Sequence, residues 1–360
     1  MIFENMKDKV CQGELEEIAA EEMGWEAFAG KTVLVTGATG LVGSYMVRAL
    51  ACANRVHDLD MTILAMVRNT NKAKGIYGEL LSRGDVQLFV GDVQNALTYE
   101  GSVDYIIHGA SVTASKEMVT KPVETITTAI NGTFNILSFA AEKKVSSMVY
   151  ISSMEMYGRT DPALDRVNEN DSGYVDVMNV RSCYPEGKRM CENMCVAFHS
   201  EYRVPVKIAR LAQTFGAGVD PAENRVFAQF AKSLLRGEDI VLHTKGESYG
   251  NYCSTFDCIR GLLTILLKGE NGQPYNVVNE DTNIQIKDMA AMMAQRSKGK
   301  IKVVFDIPED ALKYGYAPDV KMHLGSGKLM GLGWAPKLDL SGMYDRLMDS
   351  WACQSAGDTV

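Results

Sequence analysis

From Lys31 onward, short apolar runs alternate with longer amphipathic stretches. Thr32–Thr36 reads TVLVT, an uninterrupted apolar run of the kind that a sheet covered on both faces buries. Leu41–Ala53 follows with helical spacing, and further strand-like runs lie at Met61–Val67, Val86–Val90 and Asp104–His108. A long helix is predicted over Pro122–Lys143, a fifth strand at Ser147–Ser152, a helix at Tyr184–Glu201 and a strand at Val206–Arg210. Strands alternating with helices imply right-handed crossovers and a parallel sheet with helices on both faces. After about Thr214 the rhythm breaks. Polar, glycine-containing loops at 216–224 and 244–252 alternate with helices at 226–236 and 258–268.

The predicted fold is α/β, a doubly wound parallel sheet of Rossmann type with a smaller C-terminal α/β lobe. The expected divisions are a helical extension at 1–29, a dinucleotide-binding domain at 30–213 and a mainly substrate-binding lobe at 214–360. In the extension, Leu15, Ile18, Ala19 and Met23 recur near helical spacing among acids, which suits a helix packed on the outside of the domain.

Composition narrows the function. The 360 residues are 46% hydrophobic and 23% charged, and the net charge is −8. No basic stretch offers phosphates a counter-charge, so nucleic acid is not an expected partner. No apolar run approaches the roughly 18–20 residues that span a bilayer, so no membrane association is expected. The acidic N-terminus does not resemble a signal peptide, and a cytoplasmic location is expected. Eight cysteines follow no C-x-x-C spacing and five histidines are scattered, so reduced thiols and no metal site are expected.

Gly37, Gly40 and Gly43 fall in Thr36-Gly-Ala-Thr-Gly-Leu-Val-Gly43, between a strand and a helix. The first glycine allows the turn, the second lets backbone approach a pyrophosphate, and the third lets helix pack on strand. Gly37, Thr39, Gly40, Leu41, Val42 and Gly43 are therefore candidate dinucleotide contacts. Where an acid often binds the adenosine ribose, this chain has Arg68, which could pair with a 2′-phosphate or stack on adenine. NAD is the expected cofactor, with NADP left open by Arg68. Asp92 and Val93 are placed for the adenine end, and Gly109, Ala110 and Ser111 follow the fourth strand against the cofactor.

Ser153 and Glu155 end the fifth strand, at the edge where ligands sit in open parallel sheets. Ser153 could hydrogen-bond a reacting hydroxyl, and Glu155 could serve as acid, base or positioning carboxylate. Tyr184 and Lys188 share a helix face. A lysine ammonium near Tyr184, with a cationic nicotinamide, would favour the phenolate, and Lys188 would also hold the nicotinamide ribose.

These motifs resemble those of the extended short-chain dehydrogenase/reductase family, in particular its nucleotide-sugar epimerases, dehydratases and decarboxylases. The resemblance spans about residues 31–351 and includes Arg210 and Leu332-Gly-Trp-Ala-Pro336. It implies a tightly held cofactor that oxidises a sugar 4-hydroxyl to a ketone, after which epimerisation, elimination or decarboxylation follows and the hydride returns. Arg181-Ser-Cys-Tyr-Pro-Glu-Gly-Lys-Arg189, Asn224-Arg-Val-Phe227 and Ser153-x-Glu-x-Tyr-Gly158 look most like the UDP-glucuronate decarboxylase group. Met154 stands where the 4,6-dehydratases carry an aspartate, which argues against 6-deoxysugar formation.

The chain departs from the decarboxylase group at Gly250, where the group has an arginine for its anionic substrate. Arg210, Arg225 or Lys245 could supply that charge instead. It also departs at Gln213 and Ala129, where the family has asparagines. Thr113, Gln213 and Arg225 are the candidate substrate contacts, and a homodimer through the two long helices is implied. The alternatives are a 4-epimerase or dehydratase, a net ketone reductase that exchanges NAD(P)H, and a non-catalytic dinucleotide sensor.

Overall fold

The computed structural model describes residues 2–307 and 321–357. The chain opens with α1 (Lys9–Ala20) and then alternates through β1 (Thr32–Thr36), α2 (Leu41–His57), β2 (Thr62–Val67), α3 (Thr70–Tyr77), β3 (Val86–Val90) and β4 (Tyr105–His108). Next come α4 (Ser115–Thr120), α5 (Pro122–Lys143), β5 (Ser147–Ser153), α6 (Cys183–Tyr202) and β6 (Val206–Leu211). The remainder holds β7 (Gln213–Phe215), α7 (Val226–Arg236), β8 (Ile240–Leu242), β9 (Tyr249–Ser254), α8 (Thr255–Lys268) and β10 (Pro274–Val277). It ends with β11 (Asn279–Gln285), α9 (Ile286–Arg296), β12 (Val303–Phe305), α10 (Gly327–Met330) and α11 (Leu340–Gly357).

Seven strands form one sheet in the order β10-β6-β5-β4-β1-β2-β3, and every neighbouring pair is parallel. The expected doubly wound sheet is therefore present. Its order reverses direction between β1 and β4, which opens a crevice at the carboxyl edge. One face is covered by α2 and α8 through residues such as Val47, Leu50, Ile259 and Leu262. The other is covered by α5 and α6 through Ile136, Leu137, Cys191 and Cys195. A third core around Phe215, Phe227, Met293, Tyr344 and Leu347 holds the C-terminal lobe together.

Three features differ from the sequence reading. The seventh strand, β10, lies beyond residue 213, so the sheet draws on the C-terminal part. The segment 244–252, read as a loop, ends in β9, which pairs with β7 and β11. The N-terminal helix is also more deeply built in than expected. Cys11, Leu15, Ile18 and Ala19 are fully buried, and α1 packs against α2, α8 and α11.

Three of the N-terminal acids, Glu4, Asp8 and Glu14, are buried. Glu4 bonds Arg55 at 3.0 Å and also pairs with Arg83, while Glu14 accepts the Tyr45 hydroxyl. Glu4, Glu16 and Cys52 lie within 4.8 Å of one another, but Arg55 and Gln12 already bind both carboxylates. All eight cysteines are free thiols, seven of them buried. Among the described residues, no helix is long and apolar enough to cross a membrane.

Candidate active site

The β1–α2 turn is shaped as a phosphate cradle. Gly37 has φ +70°, and a Cβ there would sit 2.8 Å from the Gly109 carbonyl. A Cβ on Gly43 would lie 2.2 Å from the Gly37 oxygen, so both positions exclude a side chain. Gly40 differs. Its φ is ordinary, the nearest atom to an added Cβ is 3.4 Å away, and it serves as N-cap of α2 without a side-chain bond. The opening N–H groups of α2 therefore lack a side-chain cap, and the helix dipole adds positive potential there. This fits the pyrophosphate of a dinucleotide.

Thr39, Leu41 and Val42 are half-buried on the same turn. Arg68, with a side chain 71% exposed, reaches Asp92 at 3.8 Å, bringing the ends of β2 and β3 together. Asp92 also accepts the Gln94 N–H at 3.0 Å, and Val93 is buried with its carbonyl bonded by Asn135. Gly109, Ala110 and Ser111 leave β4 beside the turn, and the Ala110 N–H donates to Thr36 Oγ1 at 3.2 Å.

Next along the carboxyl edge, β5 delivers Ser153 and Glu155 while the first turns of α6 deliver Tyr184 and Lys188. Ser153, which accepts the Glu155 N–H at 3.2 Å, lies close enough to Tyr184 to lower its pKa. The Lys188 ammonium donates to the Ile151 carbonyl at 2.8 Å and lies 5.7 Å from the Tyr184 ring centroid. Burial pulls Lys188 down to about 8, and it pushes Tyr184 up to about 12. The Tyr184 direction is opposite to the expected phenolate. Desolvation and the Glu155 charge outweigh the help from Ser153, Arg181 and Arg225.

Several roles were not legible from local sequence. His108 is buried, bonds Thr36 at 2.7 Å and Thr133 at 3.3 Å, and is pulled down to about 3 by burial and by Lys188. A neutral His108 thus links β1, β4 and α5 beneath the crevice. Arg181 binds both Glu155 oxygens, at 3.1 and 2.9 Å, with its guanidinium 5.8 Å from the Tyr184 ring. Arg189 donates to the Met156, Tyr157 and Gly173 carbonyls and fixes the strand exit. Arg181 and Arg189 flank the Tyr-x-x-x-Lys motif, which was the available sequence signal.

The substrate candidates are spread across the lobe. Thr113 is exposed after β4, Gln213 is half-buried at the start of β7, and Arg225 precedes α7. Arg225 pairs with Glu223 at 2.7 Å and is close enough to lower the Tyr184 pKa. Lys245 is exposed. Arg210 is not available to a substrate. It is buried in an ion pair with Glu192 at 2.7 Å and bonds the Tyr157 hydroxyl and the Glu169 carbonyl. Glu192 in turn accepts the Ser152 hydroxyl, so Arg210 braces the end of β5. At Gly250, a Cβ would meet the Tyr252 hydroxyl at 2.3 Å and its ring at 2.5 Å, so tyrosine fills the place an arginine would need. Ala129 packs opposite Gly187 and its carbonyl accepts Cys191, closing α5 onto α6, while Asn131 is exposed.

Known proteins resemble this chain in sequence and in fold. UDP-glucuronic acid decarboxylase 6 of Arabidopsis thaliana is 29% identical over 311 residues, covering 86% of this chain and 85% of the relative. UDP-glucose 4-epimerase from Thermotoga maritima has the same fold, with a TM-score of 0.73 at 18% identity over 89% of this chain and 98% of that one. So does UDP-glucuronic acid 4-epimerase from Bacillus cereus, solved with UDP-glucuronic acid and NAD, with a TM-score of 0.71 at 20% identity over 89% and 98%. The model of the NAD dependent epimerase/dehydratase family matches residues 33–279, more than half of the chain. With its parallel sheet, glycine cradle and Tyr-x-x-x-Lys helix, this chain belongs to the NAD dependent epimerase/dehydratase family of enzymes.

Proposed function

We propose that the protein is a nucleotide-sugar enzyme that oxidises the sugar 4-hydroxyl with bound NAD, and that its reaction is decarboxylation of UDP-glucuronate. The observation that carries this reading is the convergence of Ser153, Glu155, Tyr184 and Lys188 beside the glycine cradle. The decarboxylase relatives support the choice of reaction.

Gly37, Thr39, Gly40, Leu41, Val42 and Gly43 would hold the pyrophosphate. Arg68, Asp92 and Val93 would face the adenosine end, and Gly109, Ala110, Ser111, Tyr184 and Lys188 the nicotinamide half. When bound, NAD supplies a reversible acceptor for the hydride on sugar C4. Tyr184 takes the 4-hydroxyl proton while Ser153 holds the same oxygen. A buried tyrosine near 12 is a poor base at neutral pH, so opposite charge must lower it. Lys188, which at about 8 remains mostly protonated near neutrality, is positioned for this task. The resulting C4 ketone stabilises negative charge at C5, which lets the carboxylate leave as carbon dioxide; C5 then takes up a proton, and the hydride would return to C4 as the ketone regains its proton. Glu155 positions the ring, and Thr113, Gln213 and Arg225 line the sugar and diphosphate side.

We also propose a homodimer through α5 and α6, working in the cytoplasm, where eight reduced thiols are at home. Val123, Ile126, Phe134, Met190 and Val196 are each more than 40% exposed on these helices. Such a surface is costly to leave in water.

Mass spectrometry of reactions with UDP-glucuronate and NAD tests the assignment. Carbon dioxide loss by the wild type is expected, with turnover reduced about a hundredfold or more in Tyr184→Phe while NAD stays bound. Isomerisation without mass change would make the protein a 4-epimerase. Unchanged turnover in Tyr184→Phe would remove Tyr184 from the chemistry.

A further inference from the structure

We infer that Arg181 is the residue that lets this site accept a sugar bearing a carboxylate, an inference that rests on the decarboxylase reading above. Glu155 and a uronate carboxylate are like charges at the same strand edge, and their approach is unfavourable unless a cation lies between them. Arg181 satisfies the geometry. Its Nη2 alone bridges both Glu155 oxygens, at 3.1 and 2.9 Å. Nε and Nη1 have no partner among the described residues, and the side chain is 32% exposed. The guanidinium carbon lies over the Tyr184 ring, 5.8 Å from its centroid, so the cation sits next to the candidate base. Guanidinium suits this task because its planar donors can serve two carboxylates at once.

The other cations fit less well. Arg210 is buried and committed to Glu192, Tyr157 and Glu169. The Tyr252 ring occupies the space at Gly250. Arg225 is held by Glu223 at 2.7 Å and caps the start of α7, a place suited to the diphosphate. Arg181 thus takes the charge-compensating task from a different part of the chain than position 250.

The test is calorimetric binding of UDP-glucuronate and UDP-glucose to the NAD-loaded protein, for the wild type, Arg181→Gln, Arg181→Lys and the double variant Arg181→Gln/Glu155→Gln. Arg181→Gln should weaken UDP-glucuronate by about tenfold or more and leave UDP-glucose within about twofold. Arg181→Lys should recover part of the loss. The double variant should bind the uronate more tightly than Arg181→Gln alone, because the repelling carboxylate is gone. A purely structural role would weaken both sugars alike and would not be relieved by Glu155→Gln. Equal losses for the two sugars, or none, overturn the role of Arg181. If the wild type releases carbon dioxide and Arg181→Gln binds normally, only this inference falls. A wild type that binds UDP-glucose but not UDP-glucuronate overturns the decarboxylase reading as well.

Discussion

The three glycines of the first turn do different work at the scale of single atoms. A Cβ on Gly43 would meet the Gly37 oxygen at 2.2 Å and has no room, whereas a Cβ on Gly40 would make only an ordinary contact with that oxygen at 3.4 Å. Gly43→Ala should therefore cost about 1–3 kcal/mol or more of stability along with NAD affinity. Gly40→Ala should lose only about 1 kcal/mol of stability, the cost of a poorer N-cap, and about tenfold in NAD affinity, because its methyl would crowd the pyrophosphate. Thermal unfolding with and without NAD separates the two, and equal melting losses would contradict the assignment. The spacing of these residues was legible in the sequence because it follows from local backbone geometry. The Arg210 side chain was misjudged because its partner Glu192 comes from another element and burial is not a local property.

At the scale of elements, α1 joins two parts of the molecule. It covers α2, whose N-terminus forms the cradle, and it touches α11 of the C-terminal lobe. Glu14 carries this contact electrostatically, accepting the Tyr45 hydroxyl with Arg346 at 3.7 Å. Burial pushes Glu14 up to about 7. Between its ordinary value and about 7, the folded protein keeps a proton that the unfolded chain releases. Stability from this group is therefore fully present at low pH and declines as pH rises through that window, by up to about 3 kcal/mol. Glu14→Gln is neutral throughout and still accepts the Tyr45 hydroxyl. Its melting temperature should gain on the wild type by a few degrees between about pH 5 and about pH 8. Parallel melting curves for the two proteins would exclude this account.

For the whole molecule, the exposed apolar face of α5 and α6 sits on the opposite side of those helices from the sheet they cover. Phe134 is 53% exposed and stacks edge-on against Phe198. Phe134→Glu should yield a folded monomer in sedimentation experiments, while the wild type sediments as a dimer. A wild-type monomer would refute the proposed homodimer. The helix periodicity marked these helices, but the same period could not distinguish the face against the sheet from a second apolar face awaiting a partner.

The sequence by itself determined the α/β alternation, the glycine cradle and the Tyr-x-x-x-Lys helix, with several element boundaries met to the residue, including Thr32–Thr36, Pro122–Lys143 and Val226–Arg236. Each of these depends on interactions between residues near in the chain: apolar periodicity, turn geometry and i, i+4 facing. Tertiary structure decided what depends on distant neighbours. It carried β10 across the sequence boundary into the sheet and buried α1 between helices from both ends of the chain. It also filled position 250 with Tyr252, locked Arg210 onto Glu192 and set Arg181 between Glu155 and Tyr184. Desolvation did the rest. The charge of a side chain is written in the sequence, but its cost depends on how much water the fold removes, which is why Tyr184 rises although Ser153, Arg181 and Arg225 each pull it down.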